Sequence, residues 1–292
     1  MPVDHEIDSR NKNIQIYING SFYHRDEAKI SVYDSGFLMG DGIWEGLRLV
    51  NNKWIFIDEH IDRLFEGCKA IDLDIKMTKE DIVNALDETK AINNMSNEVH
   101  ARLMITRGNK SKPFQQPHLS KSGINIVIIM EHSKPSIDEK NITMATVPQV
   151  RGMPMSQDPK LNSHSKLNCI LACIQANKLG ADEALMLDPL GFVNTTNSCN
   201  FFIVKNNQVW TSTGDYCMNG VTRQNIINLC KENDIPIYEK NFSLVDVYSA
   251  DEAFITGTLG SLTNVTSIDN RNIGKDNNPI SDKLRNYYKK LL

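Results

Sequence analysis

The chain has 292 residues, of which 40% are hydrophobic and 23% charged, and its formal net charge is −4. This length is sufficient for two domains of ordinary size, and the composition is that of an ordinary globular protein. The mixed charge predicts no basic surface for nucleic acid, and no apolar run approaches the roughly 18 residues that a membrane span needs. We therefore expect a protein that acts on a small molecule, with neither nucleic acid nor membrane as a partner.

The N-terminus and the cysteines bear on location and chemistry. The first 13 residues are polar and acidic and lack the apolar segment of a secretory signal peptide, so we expect a cytoplasmic protein. The six cysteines form no CxxC pair and no zinc-type cluster with histidine, so we expect no metal site. Cys169 and Cys173 stand at helical spacing, and we interpret them as reduced thiols in the core.

The apolar periodicities of the first half predict helices packed on a sheet. The expected elements, in chain order, are a hairpin turning at Asn19-Gly20 with a second extended segment through Ile30 and Val32, a helix capped by Asp58, a helix over 79–92, and strands over 99–106 and 124–130. A charged segment without periodicity follows at 131–140. We therefore predict a small α+β domain over 1–133, a linker over 134–140 and a larger domain over 141–292.

The second half predicts mostly short strands, with two helices among them. The expected elements are a strand over 142–147, a helix over 167–179 stopped by Gly180, strands over 184–187, 200–204 and 208–211, a helix from Thr222, and strands over 253–256 and 263–268.

Two segments of this half could hold an anion. Gly220-Val221-Thr222-Arg223 places a glycine and a hydroxyl at a helix start, where free N–H groups and the helix dipole favour a phosphate. Gly257-Thr258 offers a similar pair at the end of a predicted strand. Each segment alone is also compatible with an ordinary cap or turn. The two together favour a ligand that carries a phosphate.

Motifs along most of the chain resemble those of class IV aminotransferases, the branched-chain and D-amino-acid aminotransferase family. They are Tyr33-Asp34-Ser35-Gly36-Phe37, Trp44-Glu45-Gly46 with Arg48, Glu59-His60-Ile61-Asp62-Arg63-Leu64, the segment 180–188, Gly220-Val221-Thr222-Arg223 and Gly257-Thr258. The resemblance implies the two-domain α+β fold type IV of pyridoxal-phosphate enzymes, usually a homodimer with the cofactor in the cleft between the domains.

The same resemblance implies roles for individual residues. Pyridoxal 5'-phosphate is the expected cofactor, and its expected phosphate ligands are Arg63, Gly220, Val221, Thr222 and Thr258. Arg102 and Arg107 are candidates for the substrate carboxylate, because a guanidinium matches a carboxylate in geometry. The motif around Arg107 resembles the D-amino-acid members and that around Arg102 the branched-chain members, with His100 in place of tyrosine. Tyr33 is a further candidate for substrate binding.

The expected position of the family's catalytic lysine holds Asn162, which lacks the primary amine that the cofactor chemistry needs. Lys166 stands four residues later, at the expected position of a tyrosine beside the cofactor, and an alignment shifted by four residues also makes it the catalytic lysine. We therefore predict that Lys166 forms the Schiff base. Two alternatives remain open: Lys160 has this role, or no covalent link forms.

Thr195 stands where the family has a glutamate under the pyridine nitrogen, and we place it among the cofactor contacts. A hydroxyl cannot keep that nitrogen protonated, which disfavours transamination relative to lyase chemistry. An alignment error of one position would make Thr195 an ordinary hairpin residue.

These residues lead us to predict an aminotransferase that exchanges an amino group between a small amino acid and a 2-oxo acid. A lyase of the aminodeoxychorismate lyase type and a non-catalytic protein that binds a phosphorylated ligand are the alternatives.

Overall fold

The computed structural model describes residues 8–133, 141–274 and 278–292. Within these ranges the chain forms two compact units. The small unit comprises residues 8–133 and 162–166, and the large unit comprises residues 141–161, 167–274 and 278–292. The segment 162–166 thus belongs to the small unit, although its neighbours in sequence belong to the large one. The predicted linker over 134–140 lies outside the described residues.

The small unit is a six-stranded antiparallel sheet on which helices pack. Its strands are β1 (Gln15–Ile18), β2 (Ser21–His24), β3 (Gly42–Val50), β4 (Lys53–Trp54), β5 (Val99–Thr106) and β6 (Asn125–His132), in the order β2-β1-β6-β5-β3-β4. Its α-helices are α1 (Ser35–Met39), α2 (Ile57–Ala70) and α3 (Lys79–Ile92), and short 3-10 helices span Ser9–Asn11 and Pro117–Leu119.

The two faces of the small sheet differ in burial. Ala101, Leu103 and Ile105 on β5 are fully buried, whereas His100 and Arg102, which alternate with them, are only half-buried. Successive side chains of a strand point to opposite faces, so one face forms the core under the helices and the other presents polar groups. The candidate substrate arginine Arg102 lies on this second, open face.

The large unit contains nine strands and five α-helices among its described residues. Its strands are β7 (Ile142–Thr146), β8 (Glu183–Leu187), β9 (Val193–Thr196), β10 (Asn200–Lys205), β11 (Gln208–Thr211), β12 (Ile237–Glu239), β13 (Glu252–Gly257), β14 (Ser261–Ile268) and β15 (Arg271–Asn272). Its helices are α4 (Pro154–Gln157), α5 (Leu167–Lys178), α6 (Val221–Glu232), α7 (Leu244–Tyr248) and α8 (Pro279–Lys289).

The strand order of the large sheet is β12-β11-β10-β13-β14-β7-β8-β9, and β15 pairs with β14. A single pairing of Asn200 with Thr195 also joins β10 to β9, which closes six strands into a ring. Phe201, Ile203 and Ile255 are buried in one core cluster of this unit. The ring brings the polar residues Thr195 and Asn200 side by side.

Several expectations about the elements were wrong. Strand β2 ends at His24, and Val32 is 66% exposed in a turn, so no second extended segment reaches it. Asp58 lies inside the first turn of α2, whose N-cap is Phe56 with a left-handed backbone. Strand β6 continues to His132, so the predicted start of the charged segment at residue 131 falls inside this strand.

Cys169 and Cys173 are not buried in the core, so this part of our interpretation was wrong. All six cysteines are free, but these two are half-buried. Helix α5 buries Ala172 and Ala176 instead, because these small side chains pack closely against the sheet next to Ala184. The larger apolar side chains of α5 are exposed.

Candidate active site

The segment 162–166 lies along the edge of β3. The Trp44 N–H donates to the Asn162 carbonyl at 2.9 Å, and the His164 N–H donates to the Gly42 carbonyl at 2.9 Å. The Trp44 indole N–H also donates to the Ser163 carbonyl at 3.2 Å. These bonds attach the five-residue segment 162–166 to the sheet and hold Asn162 and its neighbours beside Trp44.

Lys166 and Arg102 both contact the ring of Trp44. The Arg102 guanidinium carbon lies 3.8 Å from the ring centroid, and the Lys166 Nζ lies 5.7 Å from it. Cation–π attraction stabilises both positions. The Arg102 side chain makes no hydrogen bond with any described residue, so its donors remain available to an anion. The predicted amine and a predicted carboxylate ligand are therefore brought together on one aromatic side chain.

Two neutral polar groups lie on the same segment. Asn162 is 4% exposed, and its Oδ1 atom is buried without a partner among the described residues. The Nε2 atom of His164 is likewise buried and unpartnered within the described part of the chain. Burial lowers the pKa of His164, and the positive charge of Arg102 lowers it further, so the imidazole is neutral at pH 7.

His100 faces the same open side of the sheet as Arg102, because it lies two residues earlier on the same strand, β5. Burial, and then the charges of Arg102 and His60, lower the pKa of His100 to about 4. A neutral imidazole therefore stands where the resemblance predicts a tyrosine.

Arg63, the predicted phosphate ligand of the small unit, is oriented by a buried carboxylate. Its Nε and one terminal nitrogen donate to Glu45 at 2.8 and 2.7 Å, in the forked geometry of a bidentate pair. The Nδ1 atom of His60 lies 2.8 Å from the same carboxylate. Burial opposes ionisation of Glu45, but the bonds from Arg63 and His60 outweigh it and lower its pKa.

Arg107 is engaged in the small unit itself. Its guanidinium donates to Asp41 at 2.8 and 3.1 Å, and to the carbonyls of Ile71 and Asp72 at 2.7 and 2.9 Å. These bonds tie the end of α2 to the turn before β3. Tyr33 is 48% exposed, and its carbonyl accepts the Lys110 N–H at 2.9 Å. Arg102 therefore offers open donors for a carboxylate, whereas Arg107 uses its donors within the protein.

The start of α6 in the large unit has the features of an anion site. Gly220 is its N-cap, and among the described residues no side chain caps it. A Cβ atom added at Gly220 would lie 2.2 Å from Asn200 Oδ1, so any other residue there would force the buried Asn200 side chain to move. Asn200 in turn donates from Nδ2 to the Met218 carbonyl at 2.9 Å. The amide N–H groups of Val221 and Thr222 open the helix and are suited to a phosphate.

Asn200 is a residue that sequence reasoning missed. Its role depends on the tertiary contact with the loop before α6, which no local motif reports. Its only signal in the sequence is an asparagine at the start of an otherwise apolar strand.

The other predicted residues of the large unit have different environments. Arg223 is buried and donates to the Ser212 carbonyl at 2.6 Å and to Glu239 at 2.9 Å, so its guanidinium holds the preceding loop. Thr258 is half-buried in the turn between β13 and β14. Lys160, the minor alternative to Lys166, is exposed.

Thr195 is buried on β9, and its hydroxyl donates to the Cys199 carbonyl at 2.6 Å. Asn200 lies opposite Thr195 on one side and opposite Thr256 on the other. The hydroxyl oxygen of Thr256 is buried without a partner among the described residues. This row of polar side chains across three strands contains no carboxylate.

Two further findings concern other kinds of site. Among the described residues, no helix has the length and apolar character to span a membrane. Nor do these residues bring three or more histidine, cysteine or acidic side chains together as a metal site.

Comparison with known proteins identifies the family. The model of the family described as amino-transferase class IV matches residues 42–268. A putative branched-chain-amino-acid aminotransferase of Methanocaldococcus jannaschii is 38% identical over 281 residues, which cover 95% of this chain and 96% of that protein. This chain therefore belongs to the class IV aminotransferase family.

Two other similar proteins extend this comparison. Branched-chain-amino-acid aminotransferase-like protein 2 of Arabidopsis thaliana is 36% identical over 96% of this chain, which spans only about half (51%) of that relative. The structure of the branched-chain aminotransferase from Thermoproteus uzoniensis with norvaline has a TM-score of 0.87 and 26% identity, and the match covers 95% of this chain and 94% of that one. The fold is accordingly the α+β fold type IV of pyridoxal-phosphate enzymes.

Proposed function

We propose that this chain is a pyridoxal-phosphate-dependent aminotransferase that exchanges an amino group between a small amino acid and a 2-oxo acid. The observation that carries the proposal is the position of Lys166 and Arg102 over one ring, that of Trp44. A primary amine and a guanidinium with open donors are the two groups that an amino-acid substrate needs beside the cofactor.

The residues of both units fit the cofactor's chemistry. The uncapped start of α6 offers the N–H groups of Val221 and Thr222 to a phosphate, and Thr258 adds a hydroxyl. Arg63, held in a fixed orientation by Glu45, adds a positive charge. When bound, the cofactor supplies the electron sink for the bonds at the substrate's α carbon.

The protein's own residues then have separate tasks. Arg102 binds the substrate carboxylate through its open fork, and Arg107 maintains the turn before β3. Lys166 would supply the primary amine that the cofactor's chemistry needs and would move the proton at the α carbon. His100 and His164, both neutral at pH 7, add no charge that would compete with Arg102 for the carboxylate.

Lyase chemistry is a second candidate, and Thr195 favours it. The Thr195 hydroxyl already donates to a backbone carbonyl, and the polar row around it contains no carboxylate to protonate the pyridine nitrogen. Incubation with an amino acid, with and without a 2-oxo acid, separates the two reactions. Transamination requires the 2-oxo acid and consumes it in equal amount, whereas a lyase releases product without it.

The role of Lys166 is testable by covalent trapping. Borohydride reduction of the protein with its cofactor, followed by peptide mass mapping, should place the pyridoxyl group on the peptide that contains Lys166. Lys166→Ala should abolish this adduct and turnover. Lys160→Ala, which removes an exposed lysine six residues earlier, is the matched control and should retain both. An adduct on Lys160, or none despite bound cofactor, would contradict the assignment.

We infer the assembly and location from the family resemblance. We propose that the protein is a cytoplasmic homodimer and that it binds the amino acid, the 2-oxo acid and the cofactor. The resemblance to both branched-chain and D-amino-acid members leaves a substrate of either handedness to be tested by the same assay.

A further inference from the structure

A cavity lies on the open face of the small sheet. Its floor contains Ile18, Val127 and Met104, which are neighbours across β1, β6 and β5. The opposite wall contains Ala28, Ile30 and Phe37, from the segment after β2 and from α1. All described residues that line the cavity belong to the small unit, and its volume is about 540 Å³. A concave space of this size with predominantly apolar walls is typical of a binding site for a small organic molecule.

The polar groups at one end of the cavity are engaged within the protein. The buried carboxylate of Asp34 accepts the Thr106 hydroxyl at 2.6 Å and the Asn125 side-chain amide at 2.7 Å. It also accepts the Phe37 N–H at 3.1 Å. The side-chain oxygen of Asn125 in turn accepts the amide of Asn19 at 2.9 Å. These bonds occupy most of the hydrogen-bonding capacity of this group, so polar recognition of a ligand must come from elsewhere.

Three further charged residues line the cavity, and two of them offset each other. Arg25 donates to the Asn11 carbonyl at 2.6 Å and lies 3.9 Å from the Glu131 carboxylate. Lys29 is exposed, and its ammonium group makes neither a hydrogen bond nor an ion pair with any described residue. Lys29 therefore adds a positive charge without a partner among the described residues to an apolar cavity, and the complement of this charge is an anionic group.

We propose that this cavity binds a medium-chain aliphatic carboxylate, with the carboxylate beside Lys29 and the chain along the apolar floor. Ile30 and Phe37 are 38% and 73% exposed, so a ligand can enter along this wall. The inference goes beyond the proposed function and does not depend on it, because neither Arg102 nor Lys166 is among the described residues that line the cavity. The site should bind its ligand with or without a cofactor.

Calorimetric titration of the full chain with straight-chain carboxylates, from butanoate to decanoate, tests the proposal. Each added methylene should tighten binding by about fourfold until the cavity is filled, because this is the factor for the transfer of one methylene out of water. Octanoate should bind equally well in the presence and in the absence of pyridoxal 5'-phosphate. No binding of octanoate at millimolar concentration, or equal affinity along the series, would overturn the proposal.

A variant that fills the cavity locates the site. Ala28→Phe places a ring in the cavity and should weaken octanoate binding by about tenfold or more, as expected for overpacking. Glu27→Phe is the matched control, because Glu27 is the preceding residue and does not line the cavity. If Ala28→Phe does not fold, Ile30→Asp places a negative charge on the exposed wall and should weaken binding instead. Unchanged affinity in these cavity variants would refute the site.

A second set of variants tests the position of the carboxylate. Lys29→Gln should weaken octanoate binding by about twofold to fivefold, the range for an exposed ion pair, and should leave the affinity for uncharged octanol unchanged. Lys12→Gln is the control, because Lys12 is also exposed and does not line the cavity. An equal affinity for octanoate in Lys29→Gln and the unaltered protein would overturn the role of Lys29.

Arg102→Ala separates this site from the proposed substrate site. It should leave octanoate binding unchanged, because Arg102 is not among the described residues that line the cavity. Loss of binding in Arg102→Ala would place the carboxylate at the proposed substrate site and overturn the new site, while the proposed function would stand. Failure of the covalent trapping at Lys166 would count against the proposed function and leave the cavity site intact.

Discussion

Glu45 is a fully buried carboxylate whose charge depends on two side chains of α2. Arg63 forms a bidentate pair with it, and His60 lies at 2.8 Å. Removal of one partner from a buried ion pair leaves an uncompensated charge, which destabilises proteins by about 3 to 5 kcal/mol. Arg63 therefore has a structural task in addition to its proposed contact with phosphate.

We expect Arg63→Ala to lower the free energy of unfolding by about 3 kcal/mol, measured by urea denaturation in the absence of cofactor. Asp62→Ala is the matched control on the same helix, because Asp62 pairs with Lys79 at the surface and its loss should change stability by less than about 1 kcal/mol. Adding Glu45→Gln to Arg63→Ala should restore part of the loss. Equal stability of Arg63→Ala and the unaltered protein would show that Glu45 does not need this partner.

His100 predicts a pH dependence of stability. Its pKa in the folded protein is about 4, lowered from 6.5 by burial and then by the charges of Arg102 and His60. Between pH 6.5 and pH 4 the unfolded chain binds a proton at this residue that the folded chain does not bind. The contribution of neutral His100 to the free energy of unfolding is therefore fully present above pH 6.5 and decreases as the pH falls toward 4.

We expect the free energy of unfolding to fall by on the order of 2 kcal/mol between about pH 7 and about pH 4.5 because of His100 alone. Urea denaturation of the unaltered protein and of His100→Gln over this range measures it. His100→Gln removes the titrating group and should flatten the dependence by that amount. Parallel pH curves for the two proteins would contradict the assigned shift.

At the scale of elements, the start of α6 depends on a close contact between two segments that are not adjacent in sequence. A side chain at Gly220 would displace Asn200, because a Cβ atom would lie 2.2 Å from Asn200 Oδ1. Asn200 itself holds the loop before α6 through the Met218 carbonyl. The helix start is thus positioned by β10.

Gly220→Ala should destabilise the protein by about 1 to 3 kcal/mol, the usual result of overpacking, and should weaken binding of the cofactor phosphate. Gly152→Ala is the control, since the nearest atom to its added Cβ would be 3.3 Å away. Urea denaturation and calorimetric titration measure the two effects. In the double variant Gly220→Ala with Asn200→Ala, the decrease in the free energy of unfolding should be smaller than the sum of the decreases in the two single variants. Additive decreases would contradict the proposed clash.

Helix α5 also shows how one element can be predicted correctly in its extent and wrongly in its orientation. The spacing of Leu167, Ile170, Leu171 and Ile174 predicts a helix, and α5 spans Leu167–Lys178. These four side chains are between 44% and 68% exposed, however, and the alanines of the helix face the sheet. Periodicity locates a helix without saying which of two apolar faces packs inward.

At the scale of the whole molecule, this exposed stripe supports the proposed homodimer. A contiguous apolar stripe of four large side chains on one helix is typical of an interaction surface. We expect light scattering after size exclusion to give about twice the chain mass of 33.0 kDa at micromolar concentration. A clean monomer would contradict the dimer.

Variants on this stripe test whether it forms the interface. Ile170→Glu combined with Ile174→Glu places two charges on the outer face of α5 and should shift the protein to monomer. Val245→Glu is the control, because Val245 is 75% exposed on α7 and stands apart from the stripe in sequence. A dimer that survives the double substitution would place its interface on another surface.

Local patterns in the sequence were sufficient for much of the fold. Helix α3 matches its predicted bounds of 79–92, and strand β5 matches 99–106, because periodicity and caps act over a few neighbouring residues. Strand β3 was not predicted, since its glycines at 42 and 46 obscure the apolar pattern. Its place in the sheet comes from pairing with β5, which lies beyond two intervening helices in the chain.

The sequence by itself determined the family, the two segments proposed to bind an anion and the asparagine at position 162 where the resemblance predicts a lysine, because these depend only on which residues stand in which order. Tertiary structure alone decided that Arg107 is occupied by Asp41, that Arg102 keeps open donors over Trp44, and that the Asn162 acceptor lacks a partner among the described residues. Hydrogen bonds and packing bring together residues that are distant in the chain. Whether a side chain is available for a ligand depends on these tertiary contacts.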